Sequence, residues 1–415
     1  MQSLKQNMLM IFICFFVLTL LGGCGSASQP SVPYNQAPLR QPDLTDPHLP
    51  LIFDIAIPDF LPTQPARATT VAAGYAHTMA ITADGRLWAW GSNVVGQVGN
   101  NSQEHQHSPV HIMDDVVAVA AGSWHSMAIR SDGSLWAWGA NARGQLGSSY
   151  GADQRYPIHI IDDVIAVSAG MYHTLAIRSD GSLWGWGWNS LGQIGVGADM
   201  ASAILFPVHI MDGVIFAEAG RYHSMAIRFD GVLWGWGNNE HNQIRRHVSQ
   251  NQRNQYMPLR IMDNVQAVAI GGPRTMAIQT CGSLFMWGHH WDEPPISQDS
   301  ARISYSQPTH AINHVAVVSV GGIWHTSIIR TDGTLWTWGG NYVGQLGDGT
   351  TVGRRHPQHL MDDVVTVSAA PWHTIAIKSD GSLWAWGSNE VGMLGDGTTT
   401  ARHTPVRIMD GIMLP

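Results

Sequence analysis

Six histidines, His77, His125, His173, His223, His325 and His373, recur along a chain of 415 residues, and Arg274 stands where a seventh would fall. Neighbours in this series are 48 to 51 residues apart. Histidine is the commonest metal ligand and general base, so a metal ring is the first chemistry to weigh. Packed sheets lie about 10 Å apart, whereas zinc holds its ligand atoms at about 2 Å. One imidazole per repeat cannot converge that closely, and each histidine is expected to tie its own turn to a neighbouring strand. Denser clusters, "EHQH" 104–107 and "HHWDE" 289–293, could catch a divalent ion but read as solvated loops. "GSSYG" 147–151 spells G-x-S-x-G without the strand-to-helix elbow that gives that pattern its meaning. The recurrent Asp-Gly pairs suit turn chemistry, and their even spread offers no acid–base pair. No catalytic residue, metal site or cofactor is expected. Cys281 replaces the Asp of one such turn, as a reactive thiol or as drift in a divergent copy.

Aromatic residues carry the second possibility. The residue before each repeat histidine is Ala76 (with Tyr75 beside it), Trp124, Tyr172, Tyr222, Pro273 (before Arg274), Trp324 and Trp372. A turn needs no large aromatic for its backbone geometry. Either these rings fold down against the next repeat or they form a contact surface, since Trp and Tyr are the commonest interface anchors. Asn141, Arg143, Trp188, Asn189, Asn238, Asn239, Tyr342 and Glu390 would supply a rim around them.

The elements that position these residues follow from the repeat itself. Each copy reads as an apolar run, the turn before the histidine, a second apolar run, and a D-G turn, given as "TCG" in the fifth copy. L-W-x-W-G follows, "LFMWG" in the fifth copy, then a long loop and a segment like "PVHIMDD" 109–115. Gly after Asp between apolar alternations signals a hairpin, so four short strands per copy are expected. In "LWAWG" both faces are apolar, and such a sheet must be covered on both sides. Seven sheets around an axis meet that demand, whereas a linear solenoid would need polar caps that the sequence lacks. The fold class is therefore an all-β, seven-bladed propeller of four-stranded antiparallel blades over residues 68–415. The shortness of "MDD" suggests that "PVHIM" and the following "VVAVAAG" pair as a hairpin. The first copy lacks its own "P-x-x-I-M-D", so "PVRIMDG" 405–411 is expected to join the first blade and close the ring. Chain direction then places every aromatic turn and every long loop on one face. Copies four and five diverge, with insertions at 239–257 and 288–307 that could set partner choice or reflect relaxed structural demand.

Composition narrows the partner. Charged residues are 13% of the chain and the net charge is −8, which argues against a nucleic-acid surface. Residues 1–24 read as a signal peptide, an apolar stretch too short for an ordinary span, ending in "LGGC". That ending resembles the lipobox of bacterial lipoproteins and implies lipidation of Cys24, hence an extracytoplasmic, lipid-anchored protein. Residues 25–67, rich in Pro, Gln and Asp, read as a linker, although "LPLIFDIAI" 49–57 could dock as an extra strand. Cys14 would leave with the signal, so Cys281 would remain alone and no intrachain disulfide could form.

"VVAVAAGSWHSMAIRSDGSLWAWGANARGQLG" 116–147 resembles the repeat of the regulator of chromosome condensation family, whose members are seven-bladed propellers. The resemblance covers roughly residues 68 to 412. It implies fold more than function, because propellers host many activities. Secreted bacterial members include β-lactamase inhibitor proteins that grip their target with aromatics at this place in the repeat. By that similarity Trp124, Tyr172, Tyr222, Trp324 and Trp372 become contact candidates, with Tyr75, Asn141, Arg143, Trp188 and Tyr342 around them. The expected function is binding of a protein partner by a monomer. A glycan-binding or enzymatic propeller of the cell envelope, and an inhibitor of a secreted enzyme such as a β-lactamase, remain alternatives. The nucleotide exchange of nuclear members is not expected of an exported chain.

Overall fold

The computed structural model describes residues 69–148, 151–198, 200–245, 253–289 and 304–415. Cys24, the signal and linker segments, "LPLIFDIAI" and much of the two insertions lie outside them. The described chain forms seven antiparallel four-stranded sheets, each a simple meander. They span residues 71–113, 116–161, 164–211, 214–262, 265–312, 315–361 and 364–409, taken here as blades 1 to 7. Blade 1 shows the pattern: an inner strand Val71–Ala73, a second strand His77–Ile81, a third strand Leu87–Gly91 and an outer strand Gln106–Met113. The β-branched residues of the inner runs favour extended backbone. Each D-G turn places its glycine in the left-handed region, as at Gly133 with φ 83°, where a Cβ would be strained.

One expected pairing is corrected. Met113–Asp115 does not close a hairpin. The outer strand pairs back on the third strand, with Trp88 opposite His111, while Val116–Ala121 pairs forward on His125–Arg130. Asp115 has a φ of 62° and turns the chain from the outer edge of one blade to the inner strand of the next. Asp163, Asn264, His314 and Asp363 repeat that left-handed conformation, and Gly213 and Gly411 adopt it at a φ of 70°.

The C-terminus does close the ring onto blade 1, but not with 405–411. Strand Arg402–Met409 stays in blade 7 on Leu383–Gly387. Closure falls to the next residues: Ile412 bridges Thr82, and the Met413 N–H donates to the Ile81 carbonyl at 2.9 Å. Val116 opposes Arg130 in blade 2 as Ile412 opposes Thr82 here. The inner strand of blade 1 is thus composite, begun by the C-terminus and continued by Thr70–Ala73.

The apolar core lies between blades. Met79, Ile81, Leu87 and Ala89 of blade 1 pack on Val116, Val119, Ala128 and Trp138 of blade 2. Ile375, Leu383 and Leu394 of blade 7 meet Val71, Trp90 and Ile412 in the same way. The second Trp of each L-W-x-W-G, and Trp287 of "LFMWG", is fully buried in such a seam.

Candidate partner-binding face

Each inner strand ends at the turn before the repeat histidine, the second strand returns, and the third leads into the long loop. The aromatic turns and the described parts of the long loops therefore lie at one end of the wheel. The D-G and M-D-[DG] turns lie at the other.

The histidines fix that end. His125 Nε2 lies 3.0 Å from Thr174 Oγ1 of the next blade, and that hydroxyl donates to the Gln145 carbonyl at 2.8 Å. Because the hydroxyl's proton is committed, the imidazole must be the donor, protonated on Nε2. His77–Ser126, His173–Ser224, His223–Thr275, His325–Thr374 and His373–Thr78 repeat the contact. The Trp186 indole N–H donates to the same Gln145 carbonyl. In blade 5 Arg274 reaches the His325 carbonyl of blade 6 at 2.7 Å. Burial holds these imidazoles far below their ordinary range, His77 at about 4 and His125, His173, His223 and His373 at about 3. They are neutral ties, as expected. Gly122 precedes Trp124 because a Cβ there would lie 2.4 Å from His125 Cε1 and 2.5 Å from the Gly170 carbonyl oxygen.

With the histidines turned inward, the aromatics between glycine and histidine are left at the surface. Trp124, Tyr172, Tyr222, Trp324 and Trp372 are half-buried, and Tyr75 and Tyr342 are 36% and 58% exposed. Five rings form one arc: Tyr342–Trp324 at 5.5 Å, Trp324–Trp372 at 5.8 Å, Trp372–Tyr75 at 6.5 Å and Tyr75–Trp124 at 5.4 Å. Tyr75, not Ala76, holds blade 1's place in it. A second arc joins Tyr172, Trp188 and Tyr222 at 5.8 and 5.7 Å. The Arg143 guanidinium lies 6.0 Å from the Trp188 ring and that of Arg221 lies 5.0 Å from Tyr222. Pro273 marks the blade without a ring. Arg221 and Glu218, which lies beneath it on the channel wall, had no part in the sequence reading.

Asn141 is corrected from rim to scaffold. It is fully buried, and its Oδ1 accepts the Leu146 N–H at 3.2 Å. Asn93, Asn189, Asn239, Asn341 and Asn389 accept the fifth following N–H likewise. The recurrence of Asn at this offset was the signal for a loop clamp, because an amide serving a partner need not repeat. In "EHQH", His105 Nδ1 accepts the Asn93 N–H at 3.2 Å and so braces its loop. Of "HHWDE" only His289 is described, stacked on His241 at 5.3 Å. Ser149 and Tyr150 of "GSSYG" lie outside the described residues. The exposed Cys281 sits on the opposite face.

Comparison with known proteins gives this geometry relatives. The RCC1-like domain model matches residues 54–289, and the regulator of chromosome condensation (RCC1) repeat matches 332–377 and 380–411. Human HERC6, a probable E3 ubiquitin-protein ligase, is 33% identical over 95 residues, 22% of this chain but 9% of its own length. Human WBSCR16 superposes with a TM-score of 0.70 at 20% identity, over 78% of this chain and 94% of its own. Yeast RCC1 (Prp20), solved with Kap60 bound, gives 0.69 at 19% identity over 84% and 89%. At such identities the likeness concerns the fold.

Proposed function

The chain belongs to the RCC1-like propeller family, and from that premise we propose that it binds a protein partner through its aromatic face. The observation that carries this reading is the five-ring arc from Tyr342 to Trp124, half-open to solvent at one end of a rigid wheel. Rigid aromatic anchors give large contact area at little entropic cost, and losing one typically weakens an interface by about 2 kcal/mol or more. Arg143 and Arg221, stacked beside the second arc, add charged groups that can pair with a partner's carboxylates. Yeast Prp20 gives the fold a precedent, described bound to Kap60 and by its binding properties to Gsp1p and histones. The partner here is expected to differ, because "LGGC" marks an exported, Cys24-lipidated chain that would display the wheel at a cell surface.

Capture from surface or periplasmic extracts tests the reading, using the wild-type wheel and the Trp124→Ala, Trp324→Ala and Trp372→Ala variants. The variants should lose a specific protein while keeping the wild-type circular dichroism spectrum. Undiminished capture, or loss explained by unfolding, would overturn it. A glycan array run in parallel separates the sugar-binding alternative, and a panel of secreted β-lactamases separates the inhibitor alternative.

A further inference from the structure

The seven inner strands wall an axial channel enclosing about 1310 Å³. Two residues before the Gly or Ala that ends each inner run, blades 1, 2 and 5 carry alanine and blades 3, 6 and 7 carry serine. Each serine is used inside the fold: Ser168, Ser319 and Ser368 Oγ accept the N–H of Ala219, Ala369 and Ala73 in the next blade. Blade 4 places Glu218 there. It contributes the only carboxyl side chain to the channel lining among the described residues, and that side chain makes no hydrogen bond or ion pair with them. The side chain is half-buried, and its desolvation by the channel wall pushes the carboxyl up to about 8. The adjoining strands line the channel with Ser168 on one side and Gln266 and Ala269 on the other, none of them charged. Arg221 is turned onto the Tyr222 ring, Cys281 lies toward the far end, and the remaining charged group of the lining is the terminal carboxylate of Pro415, which follows the closing residues Ile412 and Met413. Glu218 is the penultimate residue of Val214–Ala219, so it sits just below the aromatic turns.

An acid in this place does nothing that Ala or Ser does not do for the wheel. It is poised for a cation entering between the rings. We propose that the aromatic end of the channel is a binding site for a primary ammonium group, with Glu218 as counter-ion and the Trp and Tyr faces as walls. Aromatic faces attract cations at about 6 Å, and an ammonium on a flexible alkyl stem can lay that stem against Ala and Val while its head reaches the carboxyl. Binding converts the neutral acid and the ammonium into an ion pair and releases the carboxyl proton to solvent. The group could be carried by a free alkylamine or by a lysine of a docked protein. The lysine form rests on the proposed function; the free-amine form does not.

Isothermal titration of the whole chain with n-butylammonium, n-butanol and Nα-acetyl-lysine N-methylamide tests this, in two buffers of different ionisation enthalpy. Wild type should bind butylammonium in the millimolar range with buffer-dependent heat reporting proton release, and butanol should give no saturable heat. Glu218→Gln, near-isosteric and checked by its melting curve, should weaken amine binding at least about tenfold, or 1.4 kcal/mol, and abolish the buffer dependence. Equal binding by the lysine amide supports a lysine as the natural guest, and its exclusion supports a free amine. No saturable amine binding to folded wild type, or equal binding to Glu218→Gln, overturns the site. Amine binding that survives a failed protein capture would count against the proposed function and leave this site standing.

Discussion

Thr174→Val isolates one tie between blades. Thr174 is fully buried, and its hydroxyl accepts from His125 and donates to Gln145. Valine keeps nearly the same volume and suits a strand. It leaves the His125 Nε2–H without its acceptor, while the Gln145 carbonyl retains the Trp186 indole at 3.0 Å. One orphaned buried donor is the dominant loss, so about 2 kcal/mol is expected from the 1–3 kcal/mol such groups cost. At about 2.1 cal/mol/K per residue, a wheel of roughly 345 residues has an unfolding entropy near 0.7 kcal/mol/K, so Tm should fall by about 3 °C. Thr174→Ser keeps both hydrogen bonds, as Ser126 and Ser224 do, and removes only a methyl worth about 0.8 kcal/mol. Urea unfolding followed by Trp fluorescence, with m unchanged, measures both variants. Equal destabilisation of the serine and valine variants, or a valine variant within about 0.5 kcal/mol of wild type, would refute the tie.

Two further expectations follow from the same geometry and a third from the sequence of the N-terminus. Five imidazoles held at about 3 to 4, well below the ordinary histidine value of 6.5, take up protons between those values only on unfolding. Stability is therefore full above pH 6.5 and is lost as pH falls toward 4; Glu218, raised to about 8, favours folding in the opposite sense, as pH falls from 8 toward 4.5. A Tm series should drop steeply below pH 6.5, and a flat profile down to 4.5 would contradict the neutral-tie account. Ending the chain at Gly411 removes Ile412, which is 2% exposed; a loss of about 2–5 kcal/mol is expected from the vacated core site, and an unchanged melting temperature would show that closure lies elsewhere. Cys24→Ser, expressed in a lipoprotein-processing bacterium, should abolish palmitate labelling and leave the membrane fraction, whereas retention there would exclude the lipobox reading.

Fold class, blade number and the gathering of the aromatic turns at one end were legible because each rests on a periodicity that seven copies reinforce. Blade phase was not. Met113–Asp115 is as tight as any hairpin, and the true partners Trp88 and His111 are separated by a long loop that hides their pairing from local inspection. The contact that identifies them, Trp88 edge-on to His111 at 5.6 Å, is visible only in three dimensions. The tie partners, by contrast, were available: a Ser or Thr follows every repeat histidine, and follows Arg274 too. A hydroxyl kept in that place in all seven copies serves the repeat itself. Asn141 looked like a rim residue because a polar side chain in a loop is usually solvated, whereas this loop folds around its amide. Glu218 escaped notice for the opposite reason, since it breaks the repeat once, at a position where the other six copies carry Ala or Ser.

The composite inner strand of blade 1 also separates the wheel's seam from its working end. Thr70 starts an upward run toward the aromatic turns, and Ile412 bridges Thr82 on the side of the short Asp turns. The stitch that shuts the ring thus lies away from the rings, and a visitor seated on them would leave the closure untouched.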